Sequence, residues 1–357
     1  MKILVIKFRN IGDTLLASPV VSNLKLNYPD ATIDFALNSG CEAMISGNPN
    51  INKIHIYDRF KIKNSNFIDK ILLELEFAKN IKKQNYDIAI NLTTGDRGIW
   101  IAKFAGIKKI VGMSGKNRLT NTFITDKIPK FSDFKHIVDQ NLDALKALNL
   151  EIFNKKVEVF SDENLEFLNL PNKFIHIHAT SRWMFKCVND DIMANIIDFC
   201  ENDLNIKVVL TGDNNQNELD KLKNILSLCK ANPINLAGKL NLKQVIKLSK
   251  LSSLYIGVDT AIMHIAAAND TPCIAFFGPS GAYEWGPWDN WLLKSGYTKQ
   301  NGIQTMGKHI VFQKDWEFVP CDKDGIIKHK VENRLMDFSD EMNLIKQKIV
   351  FNLNNAI

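Results

Sequence analysis

The 357 residues exceed one ordinary hydrophobic core and suit two domains of about 150–180 residues each. With 45% hydrophobic and 24% charged residues the chain is neither disordered nor fibrous, and its six scattered cysteines, without a C-x-x-C pair, exclude a disulfide framework and zinc-ligand spacing. Of the net charge of +6, residues 1–150 hold 22 Lys/Arg against 14 Asp/Glu, leaving 23 against 25 for the rest; the basic half either faces something anionic, such as phosphorylated lipid, acidic sugar or nucleic acid, or is simply solvated.

The amino terminus, MKILVIKFRN, breaks its apolar stretch at Lys7 and Arg9. That is too short for a signal-peptide core and far below the roughly 20 residues that span a bilayer, and no later run comes close, so a cytosolic protein is expected. Strands are predicted over 2–8, 31–37, 53–57, 87–93 and 108–113. Helical patterns lie at 14–27, 41–47, 66–85 and 97–105, and a further helix at 137–148 closes the block. Alternating strands and helices imply crossover units and a parallel sheet. Ser18-Pro19 should kink or restart the first helix, because proline is welcome only near a helix start.

Directly after the first strand comes Asn10-Ile11-Gly12-Asp13-Thr14. A carboxylate at the carboxyl end of a strand can serve as a general base for an acceptor hydroxyl. An aspartate before a helix can equally be a cap for its first N–H groups.

The stretch 150–172 is irregular and polar, and the domain boundary is placed there: 1–160 for the first domain, 172–338 for the second, 339–357 for a closing amphipathic helix that could pack back on the first. The second block repeats the pattern, with strands at 174–179, 206–211, 253–258 and 272–277 and helices at 189–203, 215–229, 241–250 and 260–268. The fold class is therefore α/β, two Rossmann-like doubly wound domains facing across a cleft, an arrangement suited to two substrates because such sheets bind ligands at the carboxyl ends of their strands.

In the second block His178-Ala179-Thr180-Ser181-Arg182, with Lys186 close behind, places hydroxyls and cations at a strand end, which suits phosphate oxygens. Gly257-Val258-Asp259-Thr260-Ala261 carries a strand straight into a helix, so free N–H groups would stabilise a diphosphate, with His264 about one turn along. A capped, buried helix with a satisfied histidine is the plainer alternative, and Ala266–Ala268 weigh against it by allowing close packing behind such a site.

Three patterns do not carry chemistry. Gly302 to Lys308 matches a phosphate loop until its last place, where His309 replaces Ser or Thr. Asp322-Lys323-Asp324 imitates a metal-binding D-x-D pair but falls in a polar loop. The first strand lacks the G-x-G-x-x-G run of dinucleotide enzymes.

In order, these segments resemble the lipopolysaccharide-core heptosyltransferases, the ADP-heptose transferases of glycosyltransferase family 9 with the GT-B architecture. The resemblance runs from Ile6-Lys7-Phe8-Arg9-Asn10-Ile11-Gly12-Asp13 through Thr94-Gly95-Asp96-Arg97-Gly98, Gly115-Lys116-Asn117-Arg118 and Asn141-Leu142-Asp143. It continues in Ala179-Thr180-Ser181-Arg182, Phe185-Lys186-Cys187 and Gly257-Val258-Asp259-Thr260-Ala261, and ends in Phe277-Gly278-Pro279 and Trp285-Gly286-Pro287-Trp288. The Arg-x-x-Phe-Lys-Cys and Gly-Lys-Asn-Arg runs most resemble the heptosyltransferase III branch, although Val188 stands where that branch usually has Trp and Ala261 where other branches have Gly.

The resemblance implies Asp13 as general base and places Thr180, Ser181 and Lys186 on the donor diphosphate, with Glu218 near the ribose. It assigns Asp259, Thr260, Ala261 and His264 to the phosphates and donor sugar. It leaves Gly12, Arg97, Lys116 and Arg118 as acceptor-side candidates. It implies an inverting, metal-independent transfer from ADP-heptose to lipopolysaccharide core, without a cofactor or nucleic-acid partner, at a peripheral position on the cytoplasmic face of the inner membrane. Another nucleotide sugar, another acceptor including protein, or a catalytically silent nucleotide-binding protein are the alternatives.

Overall fold

The computed structural model describes residues 1–129, 134–320 and 332–355, and the chain divides into two compact units, Met1–Phe160 and Ser161–Ile357. The sequence KILVIK can be buried on both faces because its middle residues are continuously apolar, which suits the centre of a parallel sheet. It forms β1 (Lys2–Lys7), buried from Ile3 onward. Around it lie β2 (Thr32–Asn38), β3 (Lys53–Tyr57), β4 (Ile88–Asn91), β5 (Lys109–Met113) and β6 (Asp126–Ile128). All pair in parallel in the order β3-β2-β1-β4-β5-β6, with Ile6 opposite both Ala36 and Asn91. The strand order reverses direction beside β1, the place where doubly wound sheets bind ligands.

The helical stretch expected at 14–27 breaks into Ile11–Leu15 and Ser18–Asn27, with Pro19 in the first turn of the second. Proline there lacks only an N–H that would be unpaired anyway. The 41–47 stretch is reduced to one tight turn, Glu42–Met44. A helix at Arg59–Asn64 and the short strand β6 have no counterpart among the predicted elements; both are only three to six residues long, too short for a periodic signal.

The second unit builds β7 (Phe174–His178), β8 (Lys207–Leu210), β9 (Ile234–Asn235), β10 (Leu254–Val258), β11 (Cys273–Phe277), β12 (Gln304–Met306) and β13 (His309–Gln313). The order is β12-β13-β11-β10-β7-β8-β9, parallel except for the β12–β13 pair. Strand β10 crosses close to β7: a Cβ on Gly257 would lie 2.7 Å from the carbonyl oxygen of His178 and 2.3 Å from the Tyr255 hydroxyl. The Gly302–His309 stretch proves to be the β12–β13 hairpin. Gly307 turns it at φ +57°, and a Cβ there would meet the Asp289 carboxylate at 2.0 Å.

The closing helix, Met342–Asn354, sinks the apolar side that carries Ile345 and Ile349 into the second unit's core, beside Ile175, Ile192 and Phe338. Asp322-Lys323-Asp324 and Cys321 lie outside the described residues. Among the described residues no helix is long and apolar enough to cross a membrane.

Candidate active site

In the first unit, polar side chains gather where β1 leaves the sheet. The backbone N–H of Phe8 donates to Thr93 Oγ1 (2.8 Å), and the Arg9 guanidinium to Thr94 Oγ1 (2.9 Å). The Arg9 carbonyl accepts from Asn38 Nδ2 (2.9 Å) at the end of β2. These bonds hold Asn10 and the turn that follows. Asp13 sits in the first turn of Ile11–Leu15, half-buried, behind buried Gly12. Asn10, not Asp13, occupies the capping position, and no side chain caps this helix. The carboxylate is thus not committed as a cap, and its negative charge suits a helix start.

Behind Asp13 lies a residue that the periodic reading treated only as an interruption. Lys7 is 1% exposed. Its ammonium donates to the Leu92 carbonyl (3.0 Å) and to Asn141 Oδ1 (2.9 Å), while Asn141 Nδ2 donates to the Leu16 carbonyl (2.9 Å) at the end of the Asp13 helix. Burial pushes the Lys7 ammonium down to about 8; the negative charge of Asp13 opposes that shift and Arg9 adds to it. The signal was present, since a lysine inside an apolar strand needs partners.

The proposed acceptor cations stand on the same carboxyl edge of this sheet, Arg97 and Arg118 opening the helices that follow β4 and β5 and Lys116 in the loop before the latter; Thr120 ties the two segments together by donating to Asp96 Oδ1 (2.7 Å). Lys116 and Arg118 are exposed. Arg97 is already engaged: its Nε donates to Glu74 (3.2 Å) and its guanidinium lies over the Tyr57 ring at 5.2 Å.

In the second unit β7 and β10 are neighbours, with His178 opposite Gly257, so the segments that leave them are neighbours too. This brings Lys186 to Asp259: Nζ donates to Oδ2 at 2.6 Å, and the Ser280 hydroxyl donates to the same oxygen at 2.5 Å. Burial would raise the Asp259 carboxyl, but the Lys186 charge and the two hydrogen bonds outweigh it and hold it below the usual carboxylate range. Thr260 takes the capping position of Ala261–Ala268 without a side-chain cap bond, leaving the first N–H groups of that helix without one. His264 is buried in the same helix, within electrostatic reach of Asp259.

Thr180 and Glu218 form a second cluster. Thr180 Oγ1 donates to Glu218 Oε2 (2.6 Å), which also accepts from the Asp213 backbone (3.1 Å), and Asn215 Nδ2 donates to Oε1 (2.9 Å). Glu218 is 3% exposed, and these bonds make it the organiser of the loop after β8. The Ser181 hydroxyl accepts from the Trp183 backbone (3.2 Å). Ser280 was not singled out from the sequence; its only signal is its place just after Phe277-Gly278-Pro279. Gln313 Nε2 fixes that loop by donating to the carbonyls of Gly278 (2.9 Å) and Ser280 (2.6 Å).

The model of glycosyltransferase family 9 (heptosyltransferase) matches residues 75–308, more than half of the chain. The chain belongs to glycosyltransferase family 9. It is 32% identical over 295 residues to lipopolysaccharide heptosyltransferase 3 of Escherichia coli K12, covering 79% of this chain and 84% of that one. It is 24% identical over 317 residues to the lipopolysaccharide core heptosyltransferase OpsX of Haemophilus influenzae, covering 85% and 86%.

Among solved structures, a family 9 glycosyltransferase from Veillonella parvula shares its fold with a TM-score of 0.79 at 20% identity, covering 99% of this chain and 97% of that one. The ADP-heptose heptosyltransferase II of E. coli does so at 0.74 and 19%, covering 99% of each. The family 9 enzyme described here therefore has two Rossmann-like units of the GT-B kind, and Asp13, the Lys186–Asp259 pair and the helix tip at Thr260 all stand at carboxyl ends of its parallel strands.

Proposed function

We propose that this enzyme transfers heptose from ADP-heptose to the inner core of lipopolysaccharide, inverting the anomeric centre without a metal. The observation that carries the reading is the cluster of Lys186, Asp259 and Ser280 beside the uncapped start of Ala261–Ala268, in a chain 32% identical to a lipopolysaccharide heptosyltransferase. An ammonium and a helix N-terminus held in place before reaction suit the charge that builds on a departing diphosphate.

Asp13 takes the proton of an acceptor hydroxyl; that oxygen bonds to the anomeric carbon while the carbon–oxygen bond to the diphosphate breaks and ADP leaves. The transition state has oxocarbenium character, as in other glycosyl chemistry. Thr180, Ser181 and Lys186 serve the diphosphate, with Glu218 ordering Thr180 and the loop nearest the ribose. Asp259, Thr260, Ala261 and His264 hold the phosphates and the sugar. Gly12 lets the acceptor approach, and Arg97, Lys116 and Arg118 meet its phosphates and acidic sugars. The enzyme works as a peripheral protein on the cytoplasmic face of the inner membrane.

Mass spectrometry of core oligosaccharide from cells lacking this protein should show a missing heptose, and the purified enzyme should turn over ADP-heptose in preference to a panel of other nucleotide sugars. Unaltered core, or turnover of a different donor, would transfer the fold to another substrate. A chelator should leave the rate unchanged, because Lys186 and the helix tip supply the positive charge.

A further inference from the structure

The helix Phe67–Lys82 buries only Ala78 and Ile81 deeply. Leu73 and Phe77 are half-buried, Phe77 against Phe8 and Tyr57, but five further large apolar residues point outward: Phe67 is 77% exposed, Ile68 68%, and Ile71, Leu72 and Leu75 between 40% and 56%. At about 100° per residue these five fall within an arc of roughly 140°, a single stripe along the first half of the helix. Phe60 in the preceding helix is 76% exposed. A cavity of about 360 Å3 adjoins this surface at Leu75; Ala78, Trp100, Ile101 and Phe104 line it together with the Arg97–Glu74 ion pair. Exposed apolar area on this scale marks an interaction surface.

Its charges identify the partner. Arg59, Lys61 and Lys63 are exposed beside Phe60, and Lys79 and Lys82 are exposed on the same side of the long helix beyond the apolar residues, whereas Asp69 and Glu76 fall outside the arc. An apolar face bordered by cations matches an anionic bilayer surface, which offers acyl chains beneath negative headgroups. The topology agrees. Because the sheet is parallel, a helix that follows β3 and leads into β4 starts at the carboxyl edge, the edge from which β1 leads into Asp13.

We propose that residues 59–75, with Phe104, are the surface by which the enzyme docks on anionic lipid bilayers, the apolar stripe entering the headgroup boundary and the lysines resting on the phosphates. The inference rests on the reading above, in which the acceptor is a lipid-anchored sugar. It names the part of the first unit that meets the membrane.

The test is sedimentation of the purified full chain with vesicles of phosphatidylethanolamine and phosphatidylglycerol, compared with phosphatidylcholine alone. Wild type should bind the anionic vesicles at least tenfold better. The combined variant Phe67→Ser/Ile71→Ser/Leu72→Ser should lose at least tenfold in partitioning with unchanged melting temperature and unchanged heptose transfer to a delipidated, water-soluble acceptor. Lys61→Gln/Lys63→Gln should cost about fivefold per lysine removed. Phe67→Cys carrying a polarity-sensitive dye should shift to the blue on vesicles, a readout that survives if the serine variant misfolds.

Vesicle binding unaffected by the serine variant, no blue shift, or no binding by wild type would overturn the proposal. A wild-type dimer that the serine variant abolishes, without vesicle binding, would assign the surface to a second copy instead. An enzyme that transfers heptose to soluble acceptor yet ignores vesicles overturns docking alone; one that docks yet transfers no heptose overturns only the functional reading.

Discussion

A single carboxylate illustrates how much local sequence leaves undecided. From sequence Asp13 could be a helix cap or a base, and the register of the helix bears on the choice: Asn10 holds the cap place and Asp13, three residues on, lies in the first turn. Asp13→Asn should lower turnover by roughly 10²–10⁴-fold, the usual contribution of a general base, while ADP binding measured by calorimetry stays nearly intact. Equal loss of both would make Asp13 structural. Lys186→Met removes the ammonium bonded to Asp259 and should slow transfer by about 10²–10³-fold in single-turnover kinetics.

Lys7 gives a prediction at another pH. Its folded value of about 8 lies below the ordinary 10.5 because burial penalises the ammonium. Between those values the unfolded chain binds more protons than the folded one, so stability rises with pH across that window. Denaturant unfolding at pH 8 and 9.5 should show that rise in wild type, and a smaller one in Lys7→Met.

Elements carry the next layer of explanation. The start of the helix Ala261–Ala268 lies beside the Lys186–Asp259 pair because it follows β10 directly and because Gly257 lets β10 lie against β7; that closeness brings Lys186 to Asp259. The strongly apolar runs of β1, β7, β10 and β11 were legible, since a strand buried on both faces must be apolar throughout. Strands β6, β9, β12 and β13 were not, being short or shaped by neighbours.

The β12–β13 hairpin shows the reason. Its Gly-rich stretch imitates a phosphate loop in sequence, but Gly307 serves a left-handed turn pressed on Asp289. Gly307→Ala should destabilise the protein by about 2 kcal/mol or more, read from its unfolding midpoint, because both the turn and the contact resist a Cβ.

For the whole molecule, charge is the property that composition predicts and structure distributes. The excess of Lys and Arg in residues 1–150 should make acceptor binding weaken as salt is raised from 50 to 500 mM, with donor binding changing less. An acceptor affinity indifferent to salt would remove Lys116 and Arg118 from that role.

The class of fold and the two-block organisation followed from sequence alone, because buried parallel strands and the turns at their ends impose strong local patterns. The commitments of individual side chains did not. Arg97 is drawn to Glu74, Glu218 to Thr180, Ser280 to Asp259, and the last helix to the second core. Each of those pairings joins residues far apart in the chain, and only the folded backbone sets their distances.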